Sequence, residues 1–343
     1  MKKKILIFGA GSIGNHFTKA FSILGYEVYI TDIDLKALAR MKNEIYPKRY
    51  GKWDSRIKQI GYNEVFKLDF KFEIILIGTP PETHIYLFKK INNELKFKKI
   101  LIEKPLSSYN KNYNLLKKHN NQNIFCGYNH SVSKSVIYLL KIIEKYKKNF
   151  YFLEVNWREG WTGILNAHFW LKNEFDSYLG NIRRGGGALQ EHSHGLHLLL
   201  MILGKFINTK KTNFSSFIKF NIKNKKLNYD SFSQLQFNSK KFSAIYTTDL
   251  ISNPSNKTIE IFGNMMKFSW IHNYKKGYDA VIQEFFSTNK KIIKLFKKNR
   301  SSEFVSEIVY LNSVNKKNYN KCNINLNSAI EVMNTIKKSL NEI

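Results

Sequence analysis

The sequence predicts an α/β chain: an N-terminal doubly wound sheet, followed by an α+β domain with a largely antiparallel open sheet. Three observations carry this. The first part alternates apolar runs with helical patterns, and a glycine-rich turn joins the first run to the first helix. The second part strings apolar runs together with few helices between them. The pattern changes near Cys126, which sets domains at 1–126 and 127–343, and each has the length to bury a core of its own.

The first element opens as Lys-Lys-Lys-Ile-Leu-Ile-Phe after the initial Met. This imitates a secretory leader, but glycines interrupt the apolar run at once, so residues 5–8 read as a strand. Gly9-Ala10-Gly11-Ser12-Ile13-Gly14 follows, then a helical pattern of Phe17, Ala20, Phe21 and Leu24 closed by Gly25. A second strand, 27–30, ends at Thr31-Asp32. Strand, G-x-G-x-x-G, helix, strand and acid stand in the order of a dinucleotide-binding Rossmann unit. Gly9 permits the tight turn, Gly11 lets a pyrophosphate approach the backbone, and Gly14 lets helix and strand pack closely. Ser12 and Ile13 open the helix, whose N-terminus offers N–H groups and positive dipole to phosphate. Asp32 is placed to accept the ribose hydroxyls. That favours NAD over NADP, because a carboxylate repels a 2′-phosphate.

The remaining elements of the first domain follow the same alternation. A helix is expected at 35–42, then an irregular stretch to Tyr62 with a short strand and helix. Residues 72–78 form an apolar strand running into Thr79-Pro80-Pro81-Glu82-Thr83-His84, where Pro81 suits a helix's first turn. Residues 99–102 form another buried strand, ending at Glu103-Lys104-Pro105. A helix at 109–119 and a strand at 124–127 complete the domain.

In the second domain a helix at 132–146 leads to a strand at 151–157. A polar and aromatic loop then runs to Arg183-Arg184-Gly185-Gly186-Gly187. A helix is expected at 188–203, and strands at 214–222, 229–237, 242–250, 258–262 and 266–271. Gly263-Asn264 is read as the turn of the last hairpin. Helices at 278–286, 303–314 and 329–340 complete the reading.

Composition narrows the function. With 43% hydrophobic and 15% aromatic residues the chain is globular, and it has no apolar run long enough for a membrane span. Cys126 and Cys322 have neither metal spacing nor a disulfide framework, so a cytoplasmic location is expected. The net charge of +30 invites a nucleic-acid reading. However, the lysines are spread in short clusters among many Asn, Ile, Tyr and Phe, as in an A/T-biased coding sequence. The expectation is therefore no nucleic acid, with an anionic substrate as the functional alternative.

Ligands of doubly wound sheets bind beyond the carboxyl ends of the strands. Here those ends carry Gly78-Thr79-Pro80, Glu103-Lys104-Pro105 and Gly127-Tyr128-Asn129-His130. Lys104 stands out because Pro105 restricts its backbone. A lysine beside a cationic ring and partly withdrawn from water suits acid–base work. The second cluster is Glu191-His192-Ser193-His194-Gly195-Leu196-His197. On a continuous helix Glu191, His194 and His197 share a face, and a carboxylate beside an imidazole suits proton transfer near neutral pH. The spacing lacks a His-Glu-x-x-His pattern, so no metal is expected.

Taken together, the Gly9–Gly14 fingerprint, Thr79-Pro80 with His84, Glu103-Lys104-Pro105, Gly127-Tyr128-Asn129 and Gly185-Gly186-Gly187-Ala188-Leu189 before an acid and a histidine resemble the Gfo/Idh/MocA oxidoreductases. These are the relatives of glucose–fructose oxidoreductase and inositol dehydrogenase. The resemblance covers the chain to about Gly204. It implies NAD(P) held by the first domain, with Thr79, Pro80, His84, Glu103 and Lys104 beside the fingerprint and Asp32. It also implies a second sheet that mediates homodimers or homotetramers. Lys104 takes the place of the lysine that hydrogen-bonds the reacting hydroxyl, and Glu191 and His194 those of the family's Asp and His. Glu for Asp is a departure, and His197 standing where an Asp often lies is a second.

The implied reaction moves a hydride between nicotinamide and a ring carbon of a sugar, cyclitol or nucleotide sugar, with a link to bacterial surface-sugar metabolism. Tyr128, Asn129, Trp161, Tyr178, Arg183, Arg184 and His197 fall on the substrate side. The alternatives are a reductase of a non-sugar C=N or C=C bond and a non-catalytic NAD-binding module.

Overall fold

The computed structural model describes residues 3–222, 225–299 and 301–341. Contacts divide the chain into two compact units. One is Met1–Ser107 with Lys111–Asn129 and Arg300–Asn327, and the other is Ser108–Asn110 with His130–Asn299 and Ser328–Ile343.

In the first unit β1 (Lys4–Phe8), β2 (Glu27–Thr31), β3 (Ile57–Gln59), β4 (Phe72–Ile77), β5 (Phe97–Glu103) and β6 (Ile124–Gly127) form one sheet in the order β3-β2-β1-β4-β5-β6. Every pair is parallel. Ile5, Leu6, Ile7 and Ile74 to Ile77 are wholly buried, as a parallel sheet covered on both faces requires. The helices are α1 (Ser12–Ile23), α2 (Leu35–Arg40), α3 (Tyr46–Tyr50), α4 (His84–Glu94) and α5 (Leu115–Lys118). The strand order reverses between β1 and β4, which puts the crevice for a ligand beyond Phe8 and Ile77.

The second unit opens with α6 (Lys134–Lys145), capped by the Ser133 hydroxyl on the Val136 N–H. Next come β7 (Phe150–Arg158), α7 (Trp161–Ala167), α8 (Ala188–Glu191) and α9 (Ser193–Leu203). The strands that follow are β8 (Asn213–Lys219), β9 (Asn221–Ile222), β10 (Lys225–Lys226), β11 (Phe232–Asn238), β12 (Ser243–Asp249), β13 (Asn256–Gly263), β14 (Met266–Lys275), β15 (Tyr278–Phe285) and β16 (Lys290–Lys297). β9 and β10 pair with each other, and the rest form a sheet ordered β16-β15-β14-β13-β7-β12-β11-β8. Its neighbours are antiparallel except β7 and β12, which run parallel. α6 packs on β14, β15 and β16, and α9 on β7 and β12. The last helices are α10 (Ser302–Ser313) and α11 (Leu326–Asn341).

Several expectations need correction. The segment read as a helix at 278–286 is strand β15, and β16 follows it. Asp279 to Gln283 are all buried, so the strand's alternation is masked and its apolar residues fit a helical spacing as well. The helix expected at 109–119 is ordered as α-helix only over α5. The loop expected between β7 and Gly185 contains α7. The hairpin turn is Asn264-Met265, one residue later than read, with Gly263 paired to Met266 and Met265 at φ +53°. Residues 301–327, expected in the second domain, pack with the first unit. There Tyr319 donates to the Ile124 carbonyl (2.6 Å), and the Cys126 N–H donates to the Ile324 carbonyl (2.9 Å). Among the described residues no helix is long and apolar enough to cross a membrane.

Candidate active site

The glycine turn is built as its sequence requires. Gly9 takes φ +107°, and a Cβ there would lie 2.5 Å from the Gly78 carbonyl oxygen. A Cβ on Gly14 would fall 1.8 Å from the Gly9 oxygen, so the start of α1 can lie against β1 only without a side chain. At Gly11 a Cβ would meet nothing within 4 Å. The turn is open where a pyrophosphate has to approach and closed where helix and strand must touch. Gly11 is also the N-cap of α1 and provides no side-chain cap, so the N–H groups of the first turn face that opening uncapped.

Asp32, half-buried at the end of β2, is fixed by backbone donors. The Ala10 N–H reaches Oδ2 at 2.7 Å and the Asp34 N–H reaches Oδ1 at 2.9 Å. Each carboxylate oxygen keeps a lone pair for a ribose hydroxyl. Open turn, uncapped helix start and oriented carboxylate together fit a dinucleotide.

The other strand ends divide into support and surface. Thr79 and Pro80 are partly exposed after β4, with the Thr79 hydroxyl 2.7 Å from that of Thr83. His84 was expected to touch the cofactor, but its ring is fully buried between the carbonyls of Thr79 (2.7 Å) and Leu106 (3.2 Å). Burial pushes its pKa down, against the opposing pull of the two carbonyls that its ring nitrogens face. It braces the loops and does not face a ligand.

Glu103 is buried, with Oε2 accepting the Lys104 N–H at 3.2 Å, while Lys104 is half-buried. A Cβ on Gly127 would lie 2.5 Å from Glu103 Oε1, so the end of β6 closes on that carboxylate. Glu307 of α10 is buried in the same unit. Burial, reinforced by Glu103, raises its carboxyl well above the usual range. Tyr128 and Asn129 are buried after β6.

In the second unit the helix expected at 188–203 breaks at His192, whose φ of −95° and ψ of 20° separate α8 from α9. Glu191 therefore ends α8 and His194 lies in the first turn of α9, both half-buried, instead of sharing one continuous helix face. His192 pins the break through Nε2, which lies 3.1 Å from the Asp249 carbonyl and 3.3 Å from that of Glu159. His197, expected on the substrate side, is buried in α9 at 1% exposure. Trp161 and Tyr178 are half-buried and Arg183 and Arg184 exposed, with the Trp161 indole N–H on the Tyr229 hydroxyl at 3.0 Å. The start of α8 is held by Asp230, whose Oδ2 accepts the Leu189 N–H and the Ser233 hydroxyl, each at 2.8 Å.

The sequence reading missed what surrounds His194. The ring of His130 lies 4.8 Å from that of His194, 5.3 Å from His272 and 4.9 Å from Trp157. Trp157 stacks on Trp270 at 6.2 Å. Lys298 Nζ is 2.7 Å from the Asp279 carboxylate and 2.8 Å from His272 Nδ1. Burial, with His130 and Lys298 beside it, pushes the His272 pKa well below the usual imidazole range. The three imidazoles and the two indoles thus form one aromatic cluster around His194. No local motif announces it, because His130 and His272 are brought to His194 only by the sheet. Arg49 was also missed; its guanidinium donates to the Ser12 carbonyl and hydroxyl.

No protein-family model and no curated protein matches the sequence. Solved structures do. A levoglucosan dehydrogenase in complex with NADH and L-sorbose superposes with a TM-score of 0.74 at 12% identity, covering 100% of this chain and 96% of that one. A myo-inositol dehydrogenase from Corynebacterium glutamicum gives 0.69 at 13% identity, covering 99% and 96%. The WlbA dehydrogenase from Bordetella pertussis, in complex with NADH and UDP-GlcNAcA, gives 0.68 at 13% identity, covering 100% and 97%. At these identities the likeness establishes the fold over the whole chain.

Proposed function

We propose that this chain is a nicotinamide-dependent oxidoreductase acting on a ring carbon of a sugar, cyclitol or nucleotide sugar. The observation that carries the reading is the glycine cradle with its oriented Asp32, set in a fold shared with dehydrogenases that hold NADH. NAD is the cofactor this site favours, because Asp32 places a negative charge where NADP would bring its extra phosphate. When bound, the cofactor supplies the hydride acceptor or donor. Lys104 hydrogen-bonds the reacting hydroxyl, and His194 takes its proton on oxidation and returns it on reduction. Glu191 stabilises the imidazolium that forms. Tyr128, Asn129, Trp161, Tyr178, Arg183 and Arg184 are the candidates for holding the substrate ring and any phosphate. His197 acts at most by supporting α9. The same reading carries a cytoplasmic enzyme that assembles as a homodimer or homotetramer and serves surface-sugar metabolism.

The test is a nicotinamide absorbance screen with NAD or NADP against free sugars, cyclitols, sugar acids and nucleotide sugars. Turnover with one class is expected, reduced about 10²- to 10⁴-fold in Lys104→Ala and in His194→Ala while NADH still binds. Undiminished turnover in both variants would sink the assigned roles. Absence of NADH binding in the unmodified protein would sink the whole reading.

A further inference from the structure

Residues 227–231, between β10 and β11, belong to no motif in the sequence. Yet three segments that carry proposed substrate or catalytic residues converge on them. Leu227 and Tyr229 are buried in a cluster with Ile164 of α7, Leu179, Ala188 and Leu250, and Trp161, Tyr178 and Ile182 pack against it. The contacts are directional as well as apolar. The Trp161 indole N–H donates to the Tyr229 hydroxyl at 3.0 Å, and the two rings meet edge to face at 5.5 Å. The Ile182 N–H, next to Arg183, donates to the Asn228 carbonyl at 3.0 Å. Asp230 takes two consecutive N–H groups at the start of α8: its carbonyl accepts that of Ala188 at 2.9 Å, and its Oδ2 that of Leu189 at 2.8 Å.

The strap is anchored from behind. The Ser231 hydroxyl donates to the Asn221 carbonyl at 2.7 Å, and the Ser231 carbonyl accepts the Leu250 N–H at 2.9 Å. Asp230 is fully buried, and a Cβ on Gly187 (φ +88°) would lie 2.1 Å from its Oδ1, so α8 can start against this carboxyl only from a glycine. That same Oδ1 has no hydrogen-bond partner among the described residues. A buried oxygen without a donor costs stability, and departures of this kind gather where function fixes geometry.

We propose that residues 227–231 are a positioning strap for the substrate side, with two separable duties. Tyr229 places Trp161 for binding, and Asp230 places α8, and with it Glu191, for the chemical step. The proposal rests on the oxidoreductase reading above and deepens it: affinity for the ring and the rate of its reaction are set by neighbouring residues of one short loop. Both are positioning residues, each acting through another side chain.

Initial rates with NAD and three probes test it: myo-inositol as the cyclitol, D-glucose as the free sugar and UDP-N-acetylglucosamine as the nucleotide sugar. The proteins are the unmodified chain, Tyr229→Phe, Asp230→Ala and Asp230→Asn. Tyr229→Phe removes the one hydrogen bond to Trp161 and should raise KM for the probe about threefold to tenfold with kcat kept, as loss of a neutral hydrogen bond in binding does. Asp230→Ala should lower kcat about tenfold to a hundredfold with KM nearly kept, because a displaced catalytic group costs rate. Asp230→Asn keeps an oxygen for Leu189 and should restore kcat to within about threefold. Hydrogen exchange reads the same placement without turnover: the amides of residues 186–191 should exchange at least about tenfold faster in Asp230→Ala and at the unmodified rate in Tyr229→Phe. A strap that merely holds the fold together would lower both rates with the folded fraction and leave both KM values alone. That pattern would overturn the proposal, as would a Tyr229→Phe and an Asp230→Ala that move the same constant, or unchanged exchange at 186–191 in Asp230→Ala. If the unmodified protein oxidises none of the three probes, the sugar reading itself falls and takes this one with it.

Discussion

Adding one methyl group at Gly14 and one at Gly11 should have opposite consequences, although the two glycines are three residues apart in the same turn. At Gly14 the new carbon would sit 1.8 Å from the Gly9 carbonyl oxygen and 3.5 Å from the Ile7 side chain. Carbon and oxygen that are not bonded do not approach within 3.0 Å, so backbone must move by more than an ångström. Gly9 is itself locked by Gly78, and the turn has little room to give. Overpacking of this kind costs about 1–3 kcal/mol where neighbours can relax and more where the obstacle is backbone. Gly14→Ala should therefore lose at least about 2 kcal/mol. At Gly11 the carbon meets nothing within 4 Å, and φ of −79° suits alanine. Stability should change by no more than about 1 kcal/mol in either direction. The methyl does, however, enter the space a pyrophosphate needs, so NADH affinity should fall at least about tenfold. Urea denaturation of the cofactor-free protein and NADH fluorescence titration read the two effects separately. A stable Gly14→Ala, or a Gly11→Ala that binds NADH as before, would refute the division of the turn into a packing glycine and an approach glycine.

Two further outcomes follow from single carboxylates. Asp230 is buried and its pKa is raised to about 7, chiefly by burial. Its folded value thus lies above its unfolded one, so its contribution to stability is complete below about pH 4 and is lost as pH rises to about 7. The slope approaches 1.4 kcal/mol per pH unit. Asp230→Asn should flatten that limb in denaturation curves taken from pH 4.5 to 8, and an unchanged slope would show that other groups set it. For Asp32→Ala, NADH should bind about tenfold or more weakly while NADPH loses less. Fluorescence titration with both cofactors decides, and an unaltered preference would remove Asp32 from the discrimination.

The sequence was most legible where geometry is local. β1, the glycine turn, α1, β2 and Asp32 can be read residue by residue, because each glycine answers a constraint within a few residues. Legibility fell where distant parts decide. Ala280, Val281, Ile282 and Phe285 fit a helix face as well as a strand. What makes them β15 is the turn at Gly277 (φ +77°) and pairing with β14. Glu191 and His194 looked like one helix face, but His192 bends the chain to bond two carbonyls that belong to β7's end and β12. His130 and His272 carry no spacing relation to His194, so no periodicity could have assembled the imidazole array. His84 misled in another way: a histidine beside a ligand loop can face the ligand or brace the loop, and only its burial tells which.

The return of residues 301–327 to the first unit has a consequence for how the protein is made. Emerging from a ribosome, strands β1 to β6 come first, yet the edge of β6 still lacks the Ile324 carbonyl that accepts from Cys126, the Asn325 bridge to Phe125, and Tyr319. The lysine ammonium of Lys99 likewise waits for the carbonyls of Leu311 and Val314 at the end of α10. The whole second sheet is synthesised in between, an interval on the order of ten seconds or more. Throughout that time the older half of the molecule has an unfinished flank, open to chaperones or to another nascent chain. The final stretch of synthesis, and not the first, completes the first unit.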